Sequence, residues 1–145
     1  MESQGGFLIT KIKQLGDRVF EKVLSAKNIH AFNGPQGRIL YVLWQTDGIP
    51  IRILSEQCGL AITSLTTMLE RMEAQGLIRR VQDREDKRKT LLYLTENARA
   101  LKRDYDEVSR QMTEIYYQGF SEEEIVRFER DLDRIRQNLE GWKER

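Results

Sequence analysis

The sequence predicts a mainly α-helical domain that carries one small β-hairpin. Three observations lead there. Of 145 residues, 39% are hydrophobic and 32% charged; a charged share above the roughly 25% of an average soluble domain favours long, solvated helices. Apolar residues recur in steps of three and four over most of the chain, the spacing that gathers side chains on one face of a helix. Two short, partly β-branched runs, Leu77 to Val81 and Thr90 to Leu94, flank a charged stretch, as the arms of a hairpin do. A chain of this length makes one domain, or one domain with an oligomerising appendage.

The elements follow in order. Leu8, Ile12, Leu15, Val19 and Val23 form one stripe and place a first helix over about residues 7–30. Pro35 suits the first turn of a second helix, and Gln36 to Gln45 is apolar on nearly all sides, which marks a buried core helix. Pro50 precedes a short helix over Ile51 to Gln57; Gly59 makes a tight turn, and another helix runs from about Ile62 to Gln75, ended by Gly76. In that helix Leu65, Met68, Leu69 and Met72 share the inward face, which leaves Thr63, Ser64, Thr66, Thr67, Glu70 and Arg71 outside. Solvated helices favour long Glu and Lys side chains over Thr and Ser. Four hydroxyls in the five positions 63–67 therefore point to close approach of another surface.

The hairpin loop, Gln82 to Lys89, is polar. Residues 79–89 hold six basic and three acidic side chains, a local +3 in a chain of net charge +1. Thr95 can cap the next helix, whose stripe runs Ala98, Leu101, Tyr105, Val108, Met112 and Ile115 up to Gly119. Ser121-Glu122-Glu123-Glu124 is a capping-box sequence, and Ile125, Phe128, Leu132, Ile135, Leu139 and Trp142 continue the same spacing. The outer helices, 7–30 and 96–143, hold more apolar stripe than a compact core can cover, so the sequence predicts a homodimer.

Several function classes are disfavoured. A net charge of +1 creates no global field toward nucleic acid or an anionic membrane, so any footprint is local. No apolar run approaches the roughly 18 residues of a membrane span, and Met1 to Gly6 is neither basic nor followed by a secretory segment, so a cytoplasmic protein with no membrane partner is expected. One cysteine, Cys58, and one histidine, His30, exclude an intrachain disulfide and a Cys/His zinc cluster and disfavour a Cys-His or Ser-His-Asp triad. The carboxylates of residues 121–133 alternate with Arg127 and Arg130 without a Gly-rich loop or metal-ligand spacing. No enzyme, cofactor or metal is expected.

Helix, helix, turn, helix, hairpin is the order of a winged helix-turn-helix. The run Leu69-Glu70-Arg71-Met72-Glu73-Ala74-Gln75-Gly76-Leu77-Ile78-Arg79-Arg80, followed by Asp83-Arg84-Glu85-Asp86-Lys87-Arg88-Lys89-Thr90 and Leu91-Leu92-Tyr93-Leu94-Thr95-Glu96, resembles the end of the recognition helix and the wing of the MarR family of transcription regulators. The resemblance implies one domain over 1–145 with a winged module at 34–95, and dimerisation through the helices at 7–30 and 96–143. It implies binding to double-stranded DNA at a pseudo-palindromic operator, probing of the minor groove by Arg88, and release by a small anionic or phenolic effector. An effector pocket between the dimer helices and the winged module would draw on His30, Arg38 and Tyr41; the rival, preferred reading pairs Arg38 with an acid and has Tyr41 fill the core. The sequence departs from the family at Ala61, where Ser, Thr or Asp usually starts the recognition helix, and at Ala98, usually Gly. Cys58 stands where the family has an aliphatic residue and reads as a small buried hydrophobe. Peroxide-sensing relatives carry their cysteine in the first helix, and this chain has none there.

The residues agree with that role. Hydroxyls of Thr63, Ser64, Thr66 and Thr67 can meet base edges in the major groove, and Arg71 can reach a guanine or a phosphate. Against this, Thr63 and Ser64 are also apt caps, Thr66 is apt to pack beneath the helix, and Arg71 to pair with Glu70 or Glu73. In the wing, Asp86 would hold the Arg88 guanidinium in place while Arg84, Lys87 and Lys89 contact phosphates. The rival loop reading is a solvated charged turn, and Arg79 and Arg80 can serve the strand edge instead. The rival function is a dimeric winged-helix adaptor or antirepressor that acts through protein contacts.

Overall fold

The computed structural model describes residues 1–144. Among them run α1 (Gly5–Ala26), α2 (Gly34–Gln45), β1 (Ile49–Pro50), α3 (Ile51–Cys58), α4 (Ile62–Ala74), β2 (Ile78–Gln82), β3 (Thr90–Leu94), α5 (Glu96–Ala100), α6 (Lys102–Tyr116) and α7 (Glu122–Glu140). The chain divides into two compact units, one from Met1 to Ser109 and one from Arg110 onward.

In the first unit the core is built from one face each of α2, α3, α4 and the sheet. Ile39, Leu40, Leu43, Leu54, Leu65, Leu69, Met72, Ile78 and Leu92 are all buried. The predicted core helix begins two residues earlier than its apolar pattern, because Asn33 and Gln36 form a reciprocal capping box ahead of Pro35. Gly59, in the left-handed region at φ 71°, makes the sharp turn between α3 and α4 that a side chain would resist. Cys58 is buried, as its reading as a small hydrophobe requires.

Three expectations need correction. The first helix stops at Ala26, not near residue 30: Asn28 takes φ 61°, one of the few non-glycine residues at ease there. Lys27 N then donates to Val23 O and Ile29 N to Leu24 O, at 3.1 and 2.9 Å, closing the helix end. The hairpin is part of a three-stranded antiparallel sheet of order β1-β3-β2. Ile49 pairs with Leu92 and Pro50 with Leu91, and proline, which lacks an N–H, occupies the edge. The helix predicted from residue 96 is two helices: Leu101 N bonds Ala98 O, three residues back, and this tighter turn divides α5 from α6. The span 96–143 thus holds three helices that end at Glu140.

In the second unit Ser121 caps α7 as predicted, accepting from Glu124 N while Glu124 Oε1 accepts from Ser121 N. Tyr117, Phe120 and Phe128 form an aromatic trio with ring centroids 5.6–6.3 Å apart. The Tyr117 hydroxyl donates to Glu129 Oε2 at 2.6 Å; burial first, then this neighbouring carboxylate, push the phenol up to about 12. No residue of α7 is buried, and its stripe residues Phe128, Leu132, Ile135 and Leu139 lie open. On α1, Leu8, Ile12 and Leu15 are likewise exposed.

Candidate nucleic-acid interface

The site is built on α4 and on the β2–β3 loop. Leu65, Leu69 and Met72 bury one face of α4, and the opposite face leaves Thr63, Ser64, Thr66, Thr67 and Arg71 exposed. The helix starts at Ala61 without a side-chain cap, so Thr63 and Ser64 do not act as caps. Thr66 is not packed beneath the helix. Its hydroxyl donates to Ile62 O at 2.9 Å, which leaves its lone pairs outward but its hydrogen engaged. Neither glutamate offered as an Arg71 partner takes it: among the described residues Arg71 makes no ion pair, and Glu73 is joined to Arg80 at 2.8 Å. That contact, chiefly the side-chain hydrogen bond, lowers the Glu73 carboxyl and raises the Arg80 guanidinium.

The wing loop is ordered by backbone hydrogen bonds and by its own carboxylates. Asp83 N donates to Lys89 O at 3.0 Å, Lys89 N to Asp86 O at 2.9 Å, and Asp83 Oδ1 accepts from Glu85 N at 3.1 Å. Asp86 Oδ1 accepts twice from Arg88, from its backbone N at 3.1 Å and its Nε at 3.2 Å. The side-chain bond, then the backbone one, holds the Asp86 carboxyl below its ordinary range. Arg88 nevertheless remains 92% exposed, so its base is tethered while its guanidinium tip faces outward. Arg84, Lys87 and Lys89 are exposed around it. The other two strand cations are engaged, Arg80 by Glu73 and Arg79 by the face of the Tyr93 ring, 5.5 Å from its centroid.

Of the predicted effector trio, Arg38 and Tyr41 both lie within electrostatic reach of Tyr105, whereas His30 lines a cleft that holds neither of them. A cleft of about 320 Å³ is lined by His30, Phe32, Gln36, Arg71 and Gln75 among others, but by neither Arg38 nor Tyr41. Arg38 donates at 3.5 Å to Cys58 O. Tyr41 packs its ring 5.8 Å from that of Tyr105, which also meets Phe20, Phe32 and Trp44. His30 pairs locally with Asn28 Oδ1. Tyr41 thus belongs to an aromatic cluster instead of facing His30, and burial raises the Tyr105 phenol.

Sequence reasoning gave Asp47 no role. Asp47 Oδ1 accepts from Leu94 N at 2.9 Å and Oδ2 from Arg99 Nη2 at 2.7 Å, so one carboxylate fastens the wing's central strand to α5. An aspartate followed by Gly48 carries no information in sequence on partners so distant in the chain.

A trihelical core whose last two helices meet at a glycine turn, followed by a hairpin that β1 completes into a three-stranded sheet, defines a winged helix-turn-helix protein. The MarR family model matches residues 32–90. The chain is 35% identical over 102 residues to the organic hydroperoxide resistance transcriptional regulator of Bacillus subtilis, covering 70% of this chain and 67% of that protein. It is 31% identical over 106 residues to the HTH-type transcriptional regulator TtmR of Methylorubrum extorquens, covering 73% of this chain. The match spans about half, 53%, of TtmR's length. The chain belongs to the MarR family of transcription regulators. Its fold is similar to that of BpsR from Bordetella bronchiseptica (TM-score 0.82, 21% identity, 92% and 98% of the two chains). It is also similar to a cysteine-to-serine variant of MarR from E. coli complexed with operator DNA (TM-score 0.79, 23% identity, 90% and 91% of the two chains). No helix of the described residues is long and apolar enough to cross a membrane.

Proposed function

We propose that this chain is a cytoplasmic, homodimeric repressor that binds a pseudo-palindromic DNA operator and releases it in response to a small anionic or phenolic effector. In this reading α4 enters the major groove, where Thr63, Ser64, Thr67 and Arg71 meet base edges and Thr66 contributes only acceptor capacity. Arg88 probes the adjacent minor groove, with Asp86 orienting it, and Arg84, Lys87 and Lys89 neutralise phosphates.

The observation that carries the proposal is the pairing of two exposed features on one module. The outer face of α4 has hydroxyls where a solvated helix would carry long charged side chains, and the wing tip holds cations that no carboxylate fully covers. The open apolar stripes of α1 and α7 support a second copy, since isolated chains rarely leave so much apolar surface wet. Support for an effector comes from BpsR, whose DNA binding is described as regulated by 6-hydroxynicotinic acid.

A salt-titrated binding assay on duplexes selected from a random pool tests the reading. With about three phosphate contacts per subunit, a dimer neutralises about six, and log K falls with log salt at a slope near −5. Bound sequences align with inverted symmetry. A flat salt response on every duplex rejects DNA binding and leaves a protein-contact role in its place.

A further inference from the structure

Helix α4 is fastened mainly at its C-terminal end. Its first turn has no side-chain cap at Ala61, whereas its last turn and the residues beyond are tied to three neighbours. Glu73 meets Arg80 on β2, Thr95 Oγ1 donates to Gly76 O at 2.6 Å, and Gln75 Oε1 accepts from Gln36 Nε2 on α2 at 3.4 Å.

Gln36 is the one buried polar side chain among the described residues, 5% exposed. A carboxamide in that setting is costly unless both ends find partners. Its Oε1 accepts from Asn33 N at 3.1 Å, and its backbone N donates to Asn33 Oδ1 at 2.9 Å. The adjoining Gly34 N donates to Glu21 Oε1 on α1 at 2.6 Å. A capping box needs only the oxygen of the residue at this position. The amide nitrogen is the additional group, and it reaches α4. Hydrogen bonds therefore step from α1, through the α1–α2 connection and Gln36, to Gln75. Gln75 lies four residues after Arg71, on the same side of α4, and both line the cleft beside His30.

We infer that Gln36 is a positioning residue: by holding Gln75 it fixes the rotation of the last turn of α4 and so decides where the Arg71 guanidinium sits relative to the hydroxyl face. The inference rests on α4 being the helix that reads bases.

Two substitutions at exposed Gln75 test it while leaving the α2 capping box intact. Gln75→Met removes the acceptor, and Gln75→Glu keeps one for the Gln36 amide. Without DNA, NMR of the full chain should show the Gln36 side-chain amide and Arg71 Nε–H resonances shifted in Gln75→Met, while in Gln75→Glu, whose new carboxylate can itself pair with Arg71, the Gln36 side-chain amide should stay protected from exchange. Unmoved Gln36 and Arg71 resonances in Gln75→Met overturn the inference. With DNA, Gln75→Met should lose about tenfold in discrimination at one operator position, the scale of a single base contact, with salt slope and thermal midpoint unchanged. Adding Arg71→Ala to Gln75→Met should then cost little more at that position; a full Arg71→Ala loss in both backgrounds also overturns it. If the parent ignores every duplex, the DNA reading fails, and the NMR comparison alone decides whether Gln36 positions α4.

Discussion

Glu73 on α4 and Arg80 on β2 share two hydrogen bonds to a single carboxylate oxygen, 2.8 Å from Nη2 and 3.3 Å from Nε. The pair joins the helix proposed to read bases to the strand that carries the wing, so the two DNA-facing parts are fixed to each other by a charged contact as well as by apolar packing. It also removes Arg80 from the pool of cations available for phosphate.

The same pair predicts an acid dependence. The Glu73 carboxyl is lowered by its bond to Arg80, so its contribution to stability is complete above the ordinary carboxylate value and is lost as pH falls through the lowered one. The gap in thermal midpoint between the parent and Glu73→Gln should be present at neutral pH and should close in the acid range below the usual glutamate pKa of about 4.3. A gap that persists unchanged to the lowest pH at which both proteins stay folded would refute this account.

Asp86 offers a prediction that runs against simple charge counting. Replacing it with Asn makes the wing more positive, and on counterion release alone that should tighten binding to DNA. The structure argues the opposite for specific duplexes, because Asp86 Oδ1 holds both the backbone N and Nε of Arg88. Asp86→Asn should lower the preference for A·T-rich over G·C-rich flanks, with Arg88→Ala abolishing it, as fluorescence anisotropy on flank-swapped duplexes can read. Uniformly tighter binding by Asp86→Asn, with the flank preference intact, would show that Asp86 does not orient Arg88.

Gly48 tests the base of the wing. It sits at φ 72°, and a Cβ added there would lie 2.8 Å from the Tyr93 ring, while its N–H donates to Leu92 O at 2.9 Å. Gly48→Ala meets both a left-handed backbone and a ring that is already stacked under Arg79. Chemical denaturation should show a loss of about 1–3 kcal/mol, with a weaker wing contribution to DNA binding. A loss of only a few tenths would mean that Tyr93 swings aside freely.

What was legible in the sequence is what is local. Stripes at three- and four-residue spacing gave α1, α4 and α7, and Ser121 with Glu124 announced its own cap because both partners lie in one turn. Asp86 and Arg88, two residues apart, were readable as a pair for the same reason. β1 was not, since two residues ending in Pro50 show no alternation. The break at Leu101 was hidden because the apolar stripe passes through it unaltered. Gln36 and Asp47 have partners 39 and 47 residues away, a distance over which no periodicity speaks. His30, Arg38 and Tyr41 were grouped by residue type, which does not say that Tyr41 packs on the Tyr105 ring while His30 lines the cleft that holds Arg71.

The apolar stripe of α7 carries the last prediction. Phe128, Leu132, Ile135 and Leu139 repeat at three- and four-residue spacing on a helix with no buried residue. Covering the part of each such side chain that is still exposed stabilises the assembly by roughly 0.5–2 kcal/mol. Leu132→Asp puts a carboxylate in the middle of that stripe, where an unpaired charge is far more costly to bury than leucine is to expose. The substitution should leave helical content unchanged, because Leu132 is 39% exposed within one chain. Analytical ultracentrifugation at micromolar concentration should then show a single chain where the parent sediments as two, and operator affinity should fall at least as far as the loss of one half-site requires. Arg134→Ala, two residues on and also exposed, should stay dimeric. If Leu132→Asp sediments with the parent, the seam between copies lies elsewhere than on α7.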